Sequence, residues 1–242
     1  MPILDWHEAI ALLRPHVFRI TTPDGFGTGF LVSVSKTTPL CAVATAAHVI
    51  DHAHFWEEPI RLYHPESETS VLLRPPDRAI RVNTELDTAS IVFERGDIPI
   101  PDAVLPLVAK DKYLKAGVEI GWLGFPAIPR AGLCFFSGRI STYLEDGAFY
   151  LVDGVAINGV SGGTAFRQGI DTAQLMGVVS AYIPNRATGD SLPGVALVRD
   201  VAEFHDLADR FRNLDEAQAA QSPVPETPPP DTQHESPPSS TV

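Results

Sequence analysis

Between His16 and about Val198 the apolar residues come in short, often alternating runs divided by turn formers. These are Val17–Thr21, Gly29–Val34, Ala42–Thr45, Ile60–Tyr63, Ser70–Leu73, Ile80–Val82, Ser90–Phe93, Val118–Leu123, Leu133–Ile140, Ala148–Val152, Met176–Ala181 and Gly194–Val198. Alternation turns one face of a strand inward, and many short strands at regular spacing predict an all-β barrel or sandwich. The breaks agree: Pro65–Thr69, Arg74–Arg78, Asp97–Asp102 and Pro184–Leu192 are polar or proline-bearing, and Asp146-Gly147 is a strong hairpin turn. The two ends follow another rhythm. Asp5–Leu13 predicts a short helix, with Asp5 as its cap, Glu8 completing a capping box and Pro15 ending it. Arg199–Phe211 returns to helical period, with Val201, Phe204, Leu207, Ala208 and Phe211 on one face that should dock on the last barrel.

At 242 residues the chain can bury a sizeable core, as one large domain or two fused small ones. From about Ser222 it consists of Ser, Pro, Glu, Thr and Gln with little to bury, and a structureless acidic tail is expected over 214–242. Its Pro-Glu-Thr-Pro-Pro-Pro run would suit an activating or tethering protein partner, although a solvated linker is the simpler reading. Of the net charge of −12, −5 falls after Arg212. Such acidity argues against nucleic acid, because phosphate neutralisation needs clustered Lys and Arg. No stretch approaches the ~18 apolar residues that span a bilayer, so no membrane partner is expected. The start, Met1 to Glu8, lacks the basic and apolar segments of a secretory signal. With two cysteines, Cys41 and Cys134, both read as small buried hydrophobes, this favours a reducing, cytoplasmic setting.

Three short motifs carry the candidate chemistry, in one order: Thr45-Ala46-Ala47-His48, Asp87-Thr88-Ala89-Ser90-Ile91 and Gly159-Val160-Ser161-Gly162-Gly163. Serine is a poor nucleophile at neutral pH. It needs a base within hydrogen-bond reach, and the base needs a carboxylate to hold its tautomer. Glycines beside the serine permit backbone shapes in which N–H groups converge on one point, as an oxyanion requires. Asp51, three residues beyond His48, is a rival carboxylate, better placed in a short helical turn after the histidine. His48, His52 and His54, followed by Glu57 and Glu58, hint at a metal, but a zincin needs a glutamate directly after its first histidine, where Val49 stands. The later histidines read as members of a polar, solvent-facing loop, and neither metal nor cofactor is expected.

These motifs have company. Gly25-Phe26-Gly27-Thr28-Gly29-Phe30-Leu31-Val32 precedes His48, Gly177-Val178-Val179-Ser180 ends 19 residues after Ser161, and Pro193-Gly194-Val195 leads to the terminal helix. Over residues 16 to about 211 the chain thereby resembles the chymotrypsin/trypsin-like serine protease family. Gly-Thr-Gly-Phe-Leu-Val and Asp-Thr-Ala-Ser-Ile-Val-Phe are closer to the HtrA-type bacterial branch, without room for its PDZ module. The resemblance implies a protease domain over 16–213 after an N-terminal helical segment, 1–15. Within it lie two packed antiparallel six-stranded β-barrels, about 16–108 and about 114–198, and a helix at about 199–212. It also implies His48 as general base, Asp87 as its orienting carboxylate, Ser161 as nucleophile, Gly159 and Ser161 as oxyanion donors, and Ser180 as a support of the carboxylate. Val155, Asn158, Ser180, Tyr182 and Gly194 would line the substrate pocket. With Val155 where an acid would select Lys or Arg, cleavage of a protein or peptide after small or medium apolar residues is expected. Val160 stands where secreted relatives keep an aspartate that pairs with a freshly cut N-terminus, so that activation switch should be missing. An esterase-type acyl hydrolase and a latent or non-catalytic module that keeps the protease fold are the alternatives.

Overall fold

The computed structural model describes residues 3–184 and 191–221, with side chains for all of these except 181–184, 191–193 and 221. Helix α1 (Trp6–Leu13) starts at Asp5, whose side chain accepts from Glu8 N at 2.8 Å while Glu8 accepts from Asp5 N at 2.9 Å, the reciprocal capping box that satisfies two exposed donors. Seven strands follow: β1 (Val17–Thr22), β2 (Gly25–Val34), β3 (Leu40–Thr45), β4 (Ile60–His64), β5 (Thr69–Leu73), β6 (Arg78–Asn83) and β7 (Thr88–Glu94). Between β3 and β4 lies helix α2 (Ala47–Phe55). The second half contains β8 (Glu119–Gly124), β9 (Cys134–Leu144), β10 (Phe149–Asp153), β11 (Thr164–Gln168), β12 (Ala173–Pro184) and β13 (Ser191–Asp200), and ends in helix α3 (Ala202–Gln221).

The second half closes as a six-stranded barrel in the order β10-β13-β12-β11-β8-β9, whereas the first is a seven-stranded antiparallel sheet in the order β5-β4-β1-β2-β3-β7-β6. The mostly-β, chymotrypsin-like double-barrel architecture is as expected, but its first half is a half-barrel instead of a closed six-stranded one. The two edge strands, β5 and β6, are neighbours in sequence but not in the sheet. Pro75 and Pro76 lie between β5 and β6 and bring no N–H donors to a ladder. The Arg78 guanidinium bridges there instead, donating to Leu73 O (2.9 Å), Ala53 O (3.3 Å) and Glu58 O (2.6 Å).

Strands β2 and β3 are buried on both faces, which is why they read as near-continuous apolar runs. Leu31, Cys41 and Val43 join a core under α2 with Phe18, Ile50, Ile60 and Phe93. Phe30, Val32, Ala42 and Ala44 face a second core shared with the barrel, among Trp122, Tyr150, Phe166 and Val198. Both terminal helices cross between the halves. Trp6 of α1 packs on Phe135 and Phe166 of the barrel at 5.2 and 5.7 Å between ring centroids. Helix α3 leaves the barrel and lays Phe204 edge-on against Phe30 of β2. The stripe expected to dock on the last barrel is therefore shared with the first sheet.

Further differences concern single segments. Residues 214–221, expected in the tail, continue α3, and Asp215 fastens it to the β2–β3 turn by accepting from Ser35 Oγ (2.5 Å), Lys36 N (3.0 Å) and Thr37 Oγ1 (2.8 Å). Residues 222–242, with the proline-rich run, lie outside the described residues. His52 and His54 sit on α2 rather than on a loop. Cys41 is buried, but Cys134 at the start of β9 is half-buried, and both thiols are free.

Candidate active site

One cavity of about 440 Å³ is lined by His48, Val49 and His52 of α2, Asp24 of the β1–β2 turn, Gly25 and Phe26 at the start of β2, and Ala127, Asn158, Gly159 and Ser161 from two of the barrel's loops. His48 is the second residue of α2, a helix whose N-cap, Ala46, has no side chain with which to cap. Asp87 supplies the cap from outside. Its Oδ1 accepts from His48 N at 3.0 Å, and its two oxygens lie 3.0 and 2.9 Å from His48 Nδ1. One carboxylate thus complements the helix's positive end and fixes the ring, leaving Nε2 as the nitrogen free to take a proton. Ser180 Oγ donates to Asp87 Oδ2 from β12.

The pair polarises each partner. The hydrogen bond to Asp87 raises the His48 pKa above its ordinary 6.5 against the opposing effect of burial, and the charges of Asp87 and Asp51 add to the rise. Burial pulls the Asp87 carboxyl upward, yet the bonds from His48 and Ser180 outweigh it and hold it below its ordinary 3.8. Asp51 does not reach the ring: it accepts from His52 N at 2.7 Å and lines a different cavity, beside Phe55 and Trp56.

The Ser161 loop is fixed through its main chain. Thr28 of β2 is fully buried. Its N–H donates to Ser161 O (2.8 Å), its hydroxyl donates to Gly159 O (2.9 Å) and accepts from Phe125 N (3.0 Å), and its carbonyl accepts from Thr45 Oγ1 (2.7 Å). Gly162 (φ +82°) lies so close that a Cβ would collide with Thr28 O and Thr45 Oγ1. Asn158 O accepts from Ala127 N at 2.7 Å, which orients the peptide before Gly159. Among the described residues, the N–H groups of Gly159 and Ser161 have no acceptor.

The expected residues do not all meet. Ser161 Oγ donates to Ser180 O at 3.3 Å, and among the described residues no hydrogen bond joins it to His48, although both line the cavity. Asn158 lines that cavity as well, while Val155 and Gly194 lie off it, brought side by side because Gly154 N donates to Gly194 O (2.9 Å). Ser180 is buried at 2% exposure behind Asp87, and the Tyr182 side chain lies outside the described residues. At the cavity rim His52 Nδ1 approaches Asp24 Oδ2 (2.5 Å) and Glu58 Oε2 (3.3 Å), the one grouping of potential metal ligands among the described residues, and each side chain is at least 30% exposed. Sequence reading missed Thr28 as the keystone of the serine loop, although the Gly27-Thr28-Gly29 motif was in view.

No protein-family model matches the sequence, and no curated protein does. In fold the chain is similar to the inactive form of a serine-to-alanine mutant of Rv3671c from M. tuberculosis H37Rv. The TM-score is 0.59 at 17% identity, covering 93% of this chain and 99% of that one. It is also similar to the serine endoprotease from Yersinia pestis, with a TM-score of 0.61 at 16% identity over 88% of this chain and 68% of that one. The architecture is that of chymotrypsin-like serine proteases.

Proposed function

We propose that the chain is a serine endopeptidase that hydrolyses peptide bonds through an acyl-enzyme. The observation that carries this reading is the convergence, in one cavity, of an imidazole held by a largely buried carboxylate, a serine hydroxyl, and two N–H groups without acceptors among the described residues. In the cycle the Ser161 hydroxyl leaves Ser180 O by rotation about its χ1 bond and donates to His48 Nε2. Ser161 Oγ then attacks the scissile carbonyl while His48 takes its proton. The oxyanion is received by the N–H groups of Gly159 and Ser161, and the imidazolium is balanced by Asp87. His48 returns the proton to the leaving amine as the carbon–nitrogen bond breaks, and water, deprotonated by His48, frees the acyl group. A preference for small or medium apolar residues before the cut rests on the sequence alone, which has Val155 where an acid would select Lys or Arg, since Val155 itself lies off the cavity.

Labelling by a fluorophosphonate, which attacks an activated serine, tests the reading on the full chain. Wild type is expected to label, with Ser161→Ala unlabelled and His48→Ala slowed by about 10³-fold or more. Labelling that persists in Ser161→Ala, or a folded wild type that does not label at all, would falsify it.

A further inference from the structure

We propose that Glu203, in the first turn of α3, is a positioning residue for Asp87, clamping both ends of the turn that presents this carboxylate to His48. The proposal rests on Asp87 acting as the carboxylate of the hydrolase read above. The turn runs from Asn83, the last residue of β6, to Thr88, the first of β7. Asn83 Nδ2 donates to Glu203 Oε1 at 2.6 Å, and Thr88 Oγ1 donates to Glu203 Oε2 at 2.5 Å. Each oxygen of one carboxylate therefore holds one end of the turn. Inside it Asn83 Oδ1 accepts from Leu86 N at 3.1 Å, so Glu203 also fixes the amide that shapes the turn.

This arrangement answers a need of the backbone. Asp87 has φ +48°, in the left-handed region that non-glycine residues visit at a cost, and such a conformation persists only where the surroundings over-determine it. Thr88 is buried at 2% exposure and the Glu203 side chain is 21% exposed, so the bonds are shielded from competing water. Arg81, 3.8 Å from Glu203 Oε1, is the charged group facing it from β6. The chain's route gives the clamp its meaning. Glu203 follows β13 of the barrel, and Ser180, the other group on Asp87, belongs to β12 of the same barrel. The carboxylate of the first half is thus held at its oxygen by Ser180 and at the flanks of its turn by Glu203, both from the second half, and it reaches its geometry when the halves are docked.

The test uses the full chain as Glu203→Ala, Glu203→Gln and Thr88→Val, read by the fluorophosphonate labelling rate across pH and by titration of the His48 ring in NMR. A displacement of about 1 Å can cost ~10²-fold, and loss of the carboxylate's role altogether costs ~10⁴-fold. Glu203→Ala should therefore label about 10- to 100-fold more slowly, with the His48 midpoint shifted down as the imidazolium loses Asp87. Asp51 and Arg199, whose charges reach His48 and Asp87, and Asp24 and His52 at the cavity rim are unchanged in these variants. Thr88→Val, near-isosteric, should show a smaller shift in the same direction. Glu203→Gln should approach wild type, because its amide oxygen still receives Asn83 and the Thr88 hydroxyl can turn to accept from the amide nitrogen. Wild-type labelling and an unmoved His48 midpoint in Glu203→Ala, with lowered melting temperature, would make Glu203 an anchor of the helix and overturn the proposal. Should Glu203→Ala fail to fold, Thr88→Val decides by the same two readouts. Should wild type itself not label, the hydrolase reading fails, and the His48 titration still decides whether Glu203 positions Asp87.

Discussion

The two loops that meet at the cavity are secured by opposite means. The Ser161 loop is pinned through its own main chain, by the backbone and the hydroxyl of Thr28, so closely that its glycines leave no room for a side chain. The Asp87 turn is held by side chains arriving from elsewhere, Ser180 on the carboxylate and Glu203 on the flanks. A loop fixed through its backbone tolerates almost no substitution and writes its requirement into the local sequence as glycine. One fixed by distant side chains leaves little local trace, and its geometry depends on how the halves dock.

The sharpest way to break the comparison is Gly162→Ala. The new methyl must displace the Thr28 carbonyl, and alanine at φ +82° is strained besides. Backbone strain of ~1–3 kcal/mol and overpacking of ~1–3 kcal/mol act together. A loss of roughly 2–6 kcal/mol in denaturant unfolding is expected, with labelling abolished. At Gly25 a Cβ would meet nothing within 4 Å, so Gly25→Ala on the same cavity's rim is the control and should cost under about 1 kcal/mol. Equal losses at the two positions would mean that close backbone approach is not what fixes the serine loop.

The same contrast explains what could be read from the sequence. Short-range features were legible: Asp5 and Glu8 mark the start of α1, alternating runs mark twelve of the thirteen strands, and the glycines around Ser161 mark a tight turn. Strand β11 escaped because Thr164–Gln168 is five residues long and ends in Arg and Gln, which reads as loop after a glycine-rich motif. The length of α2 escaped because His52, His54 and Asp51 make its outer face polar. The continuation of α3 to Gln221 escaped because apolar periodicity stops near Phe211, and what carries it on is a contact from Asp215 to a turn about 180 residues earlier. Glu203 belongs with these, since nothing near it in sequence points to Asn83 or Thr88.

Next in size is the pH dependence of labelling. The reactive form needs neutral His48, and its bond to Asp87 raises its pKa above 6.5, so the rate should climb with pH through a midpoint above that value. Asp87→Asn removes the main cause of the rise and should move the midpoint down farther than Asp51→Asn, which removes the smallest one. The stability signs are opposite for the two partners. The raised histidine stabilises the fold below 6.5 and loses that contribution as pH rises through its folded value, whereas the lowered aspartate stabilises above 3.8 and loses it as pH falls. A midpoint that stays put in Asp87→Asn would detach the ring's chemistry from the turn.

The smallest effect is expected at the far end of α3, where Asp215 meets the β2–β3 turn. Hydrogen bonds from Ser35, Lys36 and Thr37 hold this carboxyl down to about 2. Asp215 lies at the surface, half-buried against Ser35 and open to water at Lys36 and Thr37, so its worth is that of a screened surface contact, well below the ~1.5–3 kcal/mol apiece from burying Phe204 and Phe211 on the same helix. Asp215→Asn should lower the melting temperature by about 2 °C at neutral pH and leave the labelling rate unchanged. Because the folded pKa is depressed, the difference between wild type and variant should hold above the ordinary 3.8 and vanish as pH falls through about 2. A labelling rate that drops with Asp215→Asn would show that the helix transmits its outer anchorage to Asp87, making both ends of α3 part of one device rather than a tether and a clamp.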